Sequence, residues 1–70
     1  MARLKEYDFV RLERSLPDQG LSIGMIGAIV LVHDNGRAYE VEFCDSAGVT
    51  LAIVTLEATD IELVTVGSAN

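Results

Sequence analysis

Seventy residues with a formal net charge of −6, eleven acids against five bases, leave room for one domain and fit poorly with a phosphate-tracking nucleic-acid binder or an anionic-membrane binder. The single cysteine, Cys44, excludes an intramolecular disulfide, and it cannot build a zinc cluster with the one histidine, His33. Half of the residues are hydrophobic, which is high for so small a domain and predicts that packing against another chain supplies part of the stability.

In chain order, the opening Met1-Ala2-Arg3-Leu4-Lys5-Glu6 carries no apolar signal core, and no run approaches the roughly 18 apolar residues of a membrane span. A cytoplasmic protein is the expectation. Tyr7 to Leu12 reads as a first strand, with Phe9, Val10 and Leu12 apolar and Asp8 and Arg11 free to face water. Residues 13–24 contain Pro17, Gly20 and Gly24, which interrupt any helix, so a long loop is predicted, pinned to the core by Leu16, Leu21 and Ile23.

Met25 to His33 is a second strand, rich in β-branched Ile26, Ile29, Val30 and Val32, with Gly27 marking a bend or bulge. Asp34-Asn35-Gly36-Arg37 follows, and Asn-Gly between two apolar runs is the strongest short-range hairpin signal, demanding positive φ at both residues. Ala38 to Phe43 then alternates, with Tyr39, Val41 and Phe43 on one face and Glu40 and Glu42 on the other. Asp45-Ser46-Ala47-Gly48 reads as a type I turn ending in a left-handed glycine. A fourth strand runs over 49–56, a single 3₁₀ turn over 57–60 and a fifth strand over 61–66, before a frayed tail over 67–70. The predicted fold is all-β: a small five-stranded SH3-like barrel with a long first loop and a short 3₁₀ turn before the last strand, one domain over 1–66.

The segments Tyr7-Asp8-Phe9-Val10, Leu16-Pro17-Asp18-Gln19-Gly20-Leu21, Gly24-Met25-Ile26-Gly27-Ala28-Ile29-Val30 and Tyr39-Glu40-Val41-Glu42-Phe43 resemble a family of small bacterial proteins described as a domain of unknown function. That resemblance covers about residues 6–64 and implies a small barrel, with no activity, cofactor or catalytic residue attached to it. Gly24 to Ile29 also looks like the glycine-bounded opening of KOW-type barrels, which implies binding to RNA or to ribosomal and transcription proteins. The basic residues for such a role are scarce here.

A two-residue Asn-Gly turn sets Asp34 opposite Arg37, Val32 opposite Tyr39, Val30 opposite Val41 and Ala28 opposite Phe43. Val10, Val30, Val41, Phe43, Leu51 and Ile53 are then the expected core. The other face would carry Ile29, Leu31, Ala52 and Val54 as an apolar stripe bordered by Glu40 and Glu42, an interface for a partner or a second copy. Against this stands a plain alternative, in which a bend at Gly27 or a bulge lets the two ends of the second strand bury different faces within one barrel.

The remaining constellations are weaker. Glu40 and Glu42 lie two apart and point the same way, as paired carboxylates at a metal or in acid-base chemistry would, but solvated acids on a strand face are commoner. Asp34 with Arg37 reads as a cross-strand charge pair. His33 is a rim histidine by default, and Asp45 beside Cys44 would disfavour a thiolate. None of Ser15, Ser22, Ser46 and Ser68 is brought to His33 as a triad would require, and the glycines match no phosphate-binding loop. No catalytic, cofactor-binding or metal residue is therefore assigned. The expected function is a non-enzymatic protein-protein interaction or self-associating module, one version being the acidic half of a toxin-antitoxin pair. The alternative is an accessory barrel of a multi-subunit enzyme. A protein partner or homo-oligomer is expected, without nucleic acid, membrane or cofactor.

Overall fold

The computed structural model describes residues 4–65. Five strands, β1 (Phe9–Leu12), β2 (Ile26–His33), β3 (Ala38–Cys44), β4 (Thr50–Leu56) and β5 (Ile61–Leu63), form one antiparallel sheet in the order β4-β3-β2-β1-β5. The only helical turns among the described residues are 3₁₀, at Pro17–Gln19 in the first loop and at Ala58–Asp60 before β5. The all-β architecture, the long first loop and the short turn before the last strand are as the sequence predicts. Val66 and the tail 67–70 lie outside the described residues.

The hairpin between β2 and β3 turns at Asn35 and Gly36, with φ of 56° and 97°, so both residues occupy the left-handed region that Asn and Gly tolerate. Asp34 joins them at φ 49°. The amides of Gly36 and Arg37 both donate to the carbonyl of His33, at 2.9 and 3.1 Å. From this turn the expected register holds for His33 against Ala38, Val32 against Tyr39 and Leu31 against Glu40. It then slips by one. Val30 bulges, Ile29 takes the place opposite Val41, and Gly27 rather than Ala28 lies opposite Phe43.

The slip corrects two expectations. Ile29, expected on the outer stripe, is 0% exposed and belongs to the core, while Val30, expected in the core, is the half-buried extra residue. The Ile29 backbone beside it is held from the other side as well: Tyr7 N–H donates to the Ile29 carbonyl at 2.7 Å, and Ile29 N–H donates to the Asp8 carbonyl at 3.0 Å. Gly27 is not the bulge. It is the point where β2 passes under Phe43, because a Cβ there would lie 2.8 Å from the Glu42 carbonyl oxygen and 2.9 Å from the Phe43 ring.

A second correction concerns β4. Leu51 and Ile53, expected inside, are 50% and 56% exposed, whereas Ala52 and Val54, expected outside, are half-buried against the core. Register decides this, since the run Thr50–Leu56 is apolar on both faces and its period carries no phase. Phe43 pairs with Ala52 and Val41 with Val54, so the bulky side chains of β3 meet small ones on β4, and a second bulge at Leu51 completes the hairpin.

The core on the inner face comprises Val10, Leu12, Leu21, Ile29, Tyr39, Val41, Phe43, Leu56 and Ile61. Leu21 brings the first loop onto it. Leu16 and Leu21 form an isolated bridge around the 3₁₀ turn, and Leu16 packs partly buried, but Ile23 is exposed and anchors only through its N–H, which donates to Ser15 Oγ at 3.0 Å. β1 is shorter than expected because Tyr7 turns left-handed at φ 73° and the chain straightens only at Phe9.

Phe43 fills the centre of this core at 0% exposure. Phe43→Ala should cost about 3–5 kcal/mol in urea titration, whereas Ile53→Ala on the exposed face should stay within about 0.5 kcal/mol. Gly27→Ala should also destabilise, by about 1–3 kcal/mol, because backbone rather than a flexible side-chain end blocks the new methyl group.

Candidate functional site

Side chains paired across a sheet share a face, so the outer surface can be read from the register. Phe9, Ala28, Glu42 and Ile53 lie in one row across β1 to β4, Leu31, Glu40 and Thr55 in the next, and Ile26, Arg11 and Glu62 in a third. Phe9, Ile26, Leu31 and Ile53 are all large apolar side chains with at least 44% of their surface exposed. The outer face is therefore apolar in part, as expected, but its members differ. Of the expected stripe only Leu31 remains, and the glutamates divide the apolar residues of β1 and β2 from Ile53 on β4 instead of bordering them.

The two acids are not free. Glu40 Oε2 accepts a hydrogen bond from Thr55 Oγ1 at 2.7 Å and lies 2.8 Å from His33 Nε2. Glu42 Oε2 accepts from Thr50 Oγ1. Hydrogen bonding to His33, and next to Thr55, holds the Glu40 carboxyl below its ordinary range. These bonds run sideways across β2, β3 and β4, so they fix the acids as a ridge rather than aim them at a shared ligand. Placing Ala52 and Val54 outside hid this network from the sequence, because the same phase turns Thr55 inward.

The chemistry available to this group is limited. His33 reaches Glu40 and, among the described residues, no hydroxyl hydrogen-bonds to the ring, while Thr55 donates to the same carboxylate oxygen, so these residues lack the nucleophile-to-base contact of a triad. Among the described residues no group of three or more His, Cys, Asp or Glu is placed to hold a metal ion. Cys44 is free and exposed. The ion pairs among the described residues do not include one between Asp34 and Arg37, the cross-strand pair that a two-residue turn implied. No described helix is long and apolar enough to cross a membrane.

A second polar cluster sits at the seam between the first loop and the last turn. Arg14 Nε donates to Asp60 Oδ1 at 2.7 Å, the Glu57 amide donates to Asp60 Oδ2 at 2.9 Å, and the Glu13 amide donates to the Asp60 carbonyl at 2.8 Å. The Arg14 side chain, then the Glu57 amide, hold the Asp60 carboxyl below its ordinary range, and Asp60 in turn raises Arg14. Forty-six residues separate the pair, and no local signal in the sequence announces it.

Both depressed carboxyls bind fewer protons folded than unfolded, so their stabilisation is complete above the unfolded carboxylate range near pH 4 and is lost as pH falls through the folded values below it. Urea midpoints should accordingly drop below about pH 4, and Asp60→Asn should lower the unfolding free energy at pH 7 by about 1 kcal/mol while shrinking the acid drop. An unchanged acid limb in Asp60→Asn would remove Asp60 from this account.

No curated protein and no solved structure matches the chain. The model of the family described as Domain of unknown function (DUF4926) matches residues 6–63, nearly the whole described chain and the span of the resemblance noted in the sequence. With its five strands, its first-loop anchor and its last turn all inside that match, this chain belongs to the DUF4926 family.

Proposed function

We propose that this chain is a non-enzymatic protein-protein interaction or self-associating module whose contact surface is the outer face of the sheet. The observation that carries the reading is the exposure of Phe9, Ile26, Leu31 and Ile53 on one face of a domain whose described core holds nine hydrophobic side chains. Exposed large apolar residues grouped on one face mark contact surfaces. Glu40 and Glu42 run between them with their oxygens already oriented by Thr55, His33 and Thr50, so a partner meets a fixed acidic ridge set in apolar ground. Such a surface suits a partner with apolar side chains flanking basic or hydrogen-bond-donating groups. The net charge of −6 supports a protein partner over nucleic acid or an anionic membrane.

Leu31 is the substitution of choice, because it is 44% exposed on an interior strand and its loss leaves the core intact. Leu31→Glu should weaken binding by about tenfold or more, since a carboxylate would be desolvated beside Glu40. Affinity capture from the native cell with wild type and Leu31→Glu, with circular dichroism of both, tests this. A partner protein other than the chain itself, retained by wild type and lost by the folded variant, is the expected result; retention of nothing that depends on Leu31 would overturn the outer face as the contact surface.

A further inference from the structure

The two edges of the sheet differ. β5 is three residues long and carries Glu62, so it is short and charged, both devices that keep an edge from pairing. β4 is seven residues long, Thr50–Leu56, without a charged residue, a proline or a glycine, in a chain of net charge −6. Alternate residues of an edge strand turn their N–H and C=O groups away from the sheet. Among the described residues, the backbone hydrogen bonds outside the strand ladders use no group of residues 50–56. The bulge at Leu51 leaves a regular run from Ala52 to Leu56, the usual length of a strand.

We propose that β4 pairs edge to edge with β4 of a second copy of this chain, antiparallel about a two-fold axis at Val54, joining two five-stranded sheets into one. The inference rests on the reading of the chain as an interaction module and adds to its outer face a second contact surface, the β4 edge, with a second copy as its occupant. On this axis Val54 meets Val54 of the second copy, Ala52 meets Leu56, and Ile53 meets Thr55, so small residues face larger ones and the strand is complementary to itself. Ala52 and Val54 are half-buried at the rim of the core, and the second copy covers what its own sheet leaves open. Two chains of like charge can approach here because no acid stands on β4: Glu40 and Glu42 lie one strand back, bonded to Thr55 and Thr50. A partner strand other than a copy of itself would lose this self-matching, and the short, acidic β5 offers no second docking edge, so the assembly closes at two copies instead of growing.

The test is sedimentation equilibrium over about three decades of concentration around micromolar, with residue-resolved amide exchange, on wild type, Leu31→Glu and Ile53→Lys. Wild type should be a dimer whose outward amides between Ala52 and Leu56 exchange at least about tenfold more slowly as the dimer fills. Leu31→Glu should dimerise as wild type does. Ile53→Lys places an edge lysine opposite Glu42 of its own sheet, so it should keep its circular dichroism and dimerise at least about tenfold more weakly. A wild type monomeric throughout, or a dimer whose edge amides exchange as in the monomer, would overturn the inference. A dimer lost in Leu31→Glu but kept in Ile53→Lys would overturn it too and leave the outer face as the contact. Only a monomer that also captures no Leu31-dependent partner removes the interaction reading itself.

Discussion

The one-residue slip at Val30 governs the facing of the sheet. Ahead of it, the Asn35-Gly36 turn sets Leu31 and His33 outward and Val32 inward; beyond it, Ile29 goes into the core and Ala28 and Ile26 turn out. Without the slip, β2 would present the wrong side to Val41 and Phe43, and the core would lose Ile29. The backbone around the slip is held on both sides, by β3 across the hairpin and by Tyr7 and Asp8 ahead of β1. Because β1 then pairs with β2 through Gly27 opposite Val10, the same slip phases β1 and β5 on that side of the sheet. A bulge of this kind also increases local twist, which helps a small sheet curl around its own core.

Much of this was legible. The hairpin turn, the alternation from Ala38 to Phe43, the Asp45–Gly48 turn with Gly48 left-handed at φ 83°, the first-loop anchor at Leu21 and the family itself all follow from local chemistry in short windows. What stayed hidden is what no window contains. A bulge adds a residue without a turn signature, and the run IGAIVLVH reads equally well in either phase, so the position of the slip had to come from tertiary pairing. β4 hides its phase for the same reason: TLAIVTL has apolar residues on both faces, and only the packing of Phe43 on Ala52 and of Val41 on Val54 chooses between them. The candidate contact surface inherits both errors. Of the residues expected on the outer face, Leu31 and the two glutamates are those the register places there.

Charge and core are kept apart in this molecule. No charged side chain is buried among the described residues, and every ion pair described lies at a seam: Lys5 with Asp8 before β1, Arg11 with Glu62 across β1 and β5, Arg14 with Asp60 at the last turn, His33 with Glu40 on the outer face. Apolar burial on the inner face therefore holds the fold, while the polar contacts orient its loops and its outer surface. The surplus of acids leaves the interior undisturbed and concentrates its effect on what can approach from outside.

The extra residue in β2 also separates length from facing. Seven residues of β2, Gly27 to His33, lie against six of β3, Ala38 to Phe43. A chain lacking Val30 would carry a ladder of one residue against one, with Ile29 still inward, Leu31 still outward and the same hairpin turn at its end. Elsewhere along β2 a gain or loss of one residue inverts every side chain beyond it. Along β2 this one site can absorb a change of length and leave the inside and the outside of the sheet where they are, with curvature as the quantity that varies.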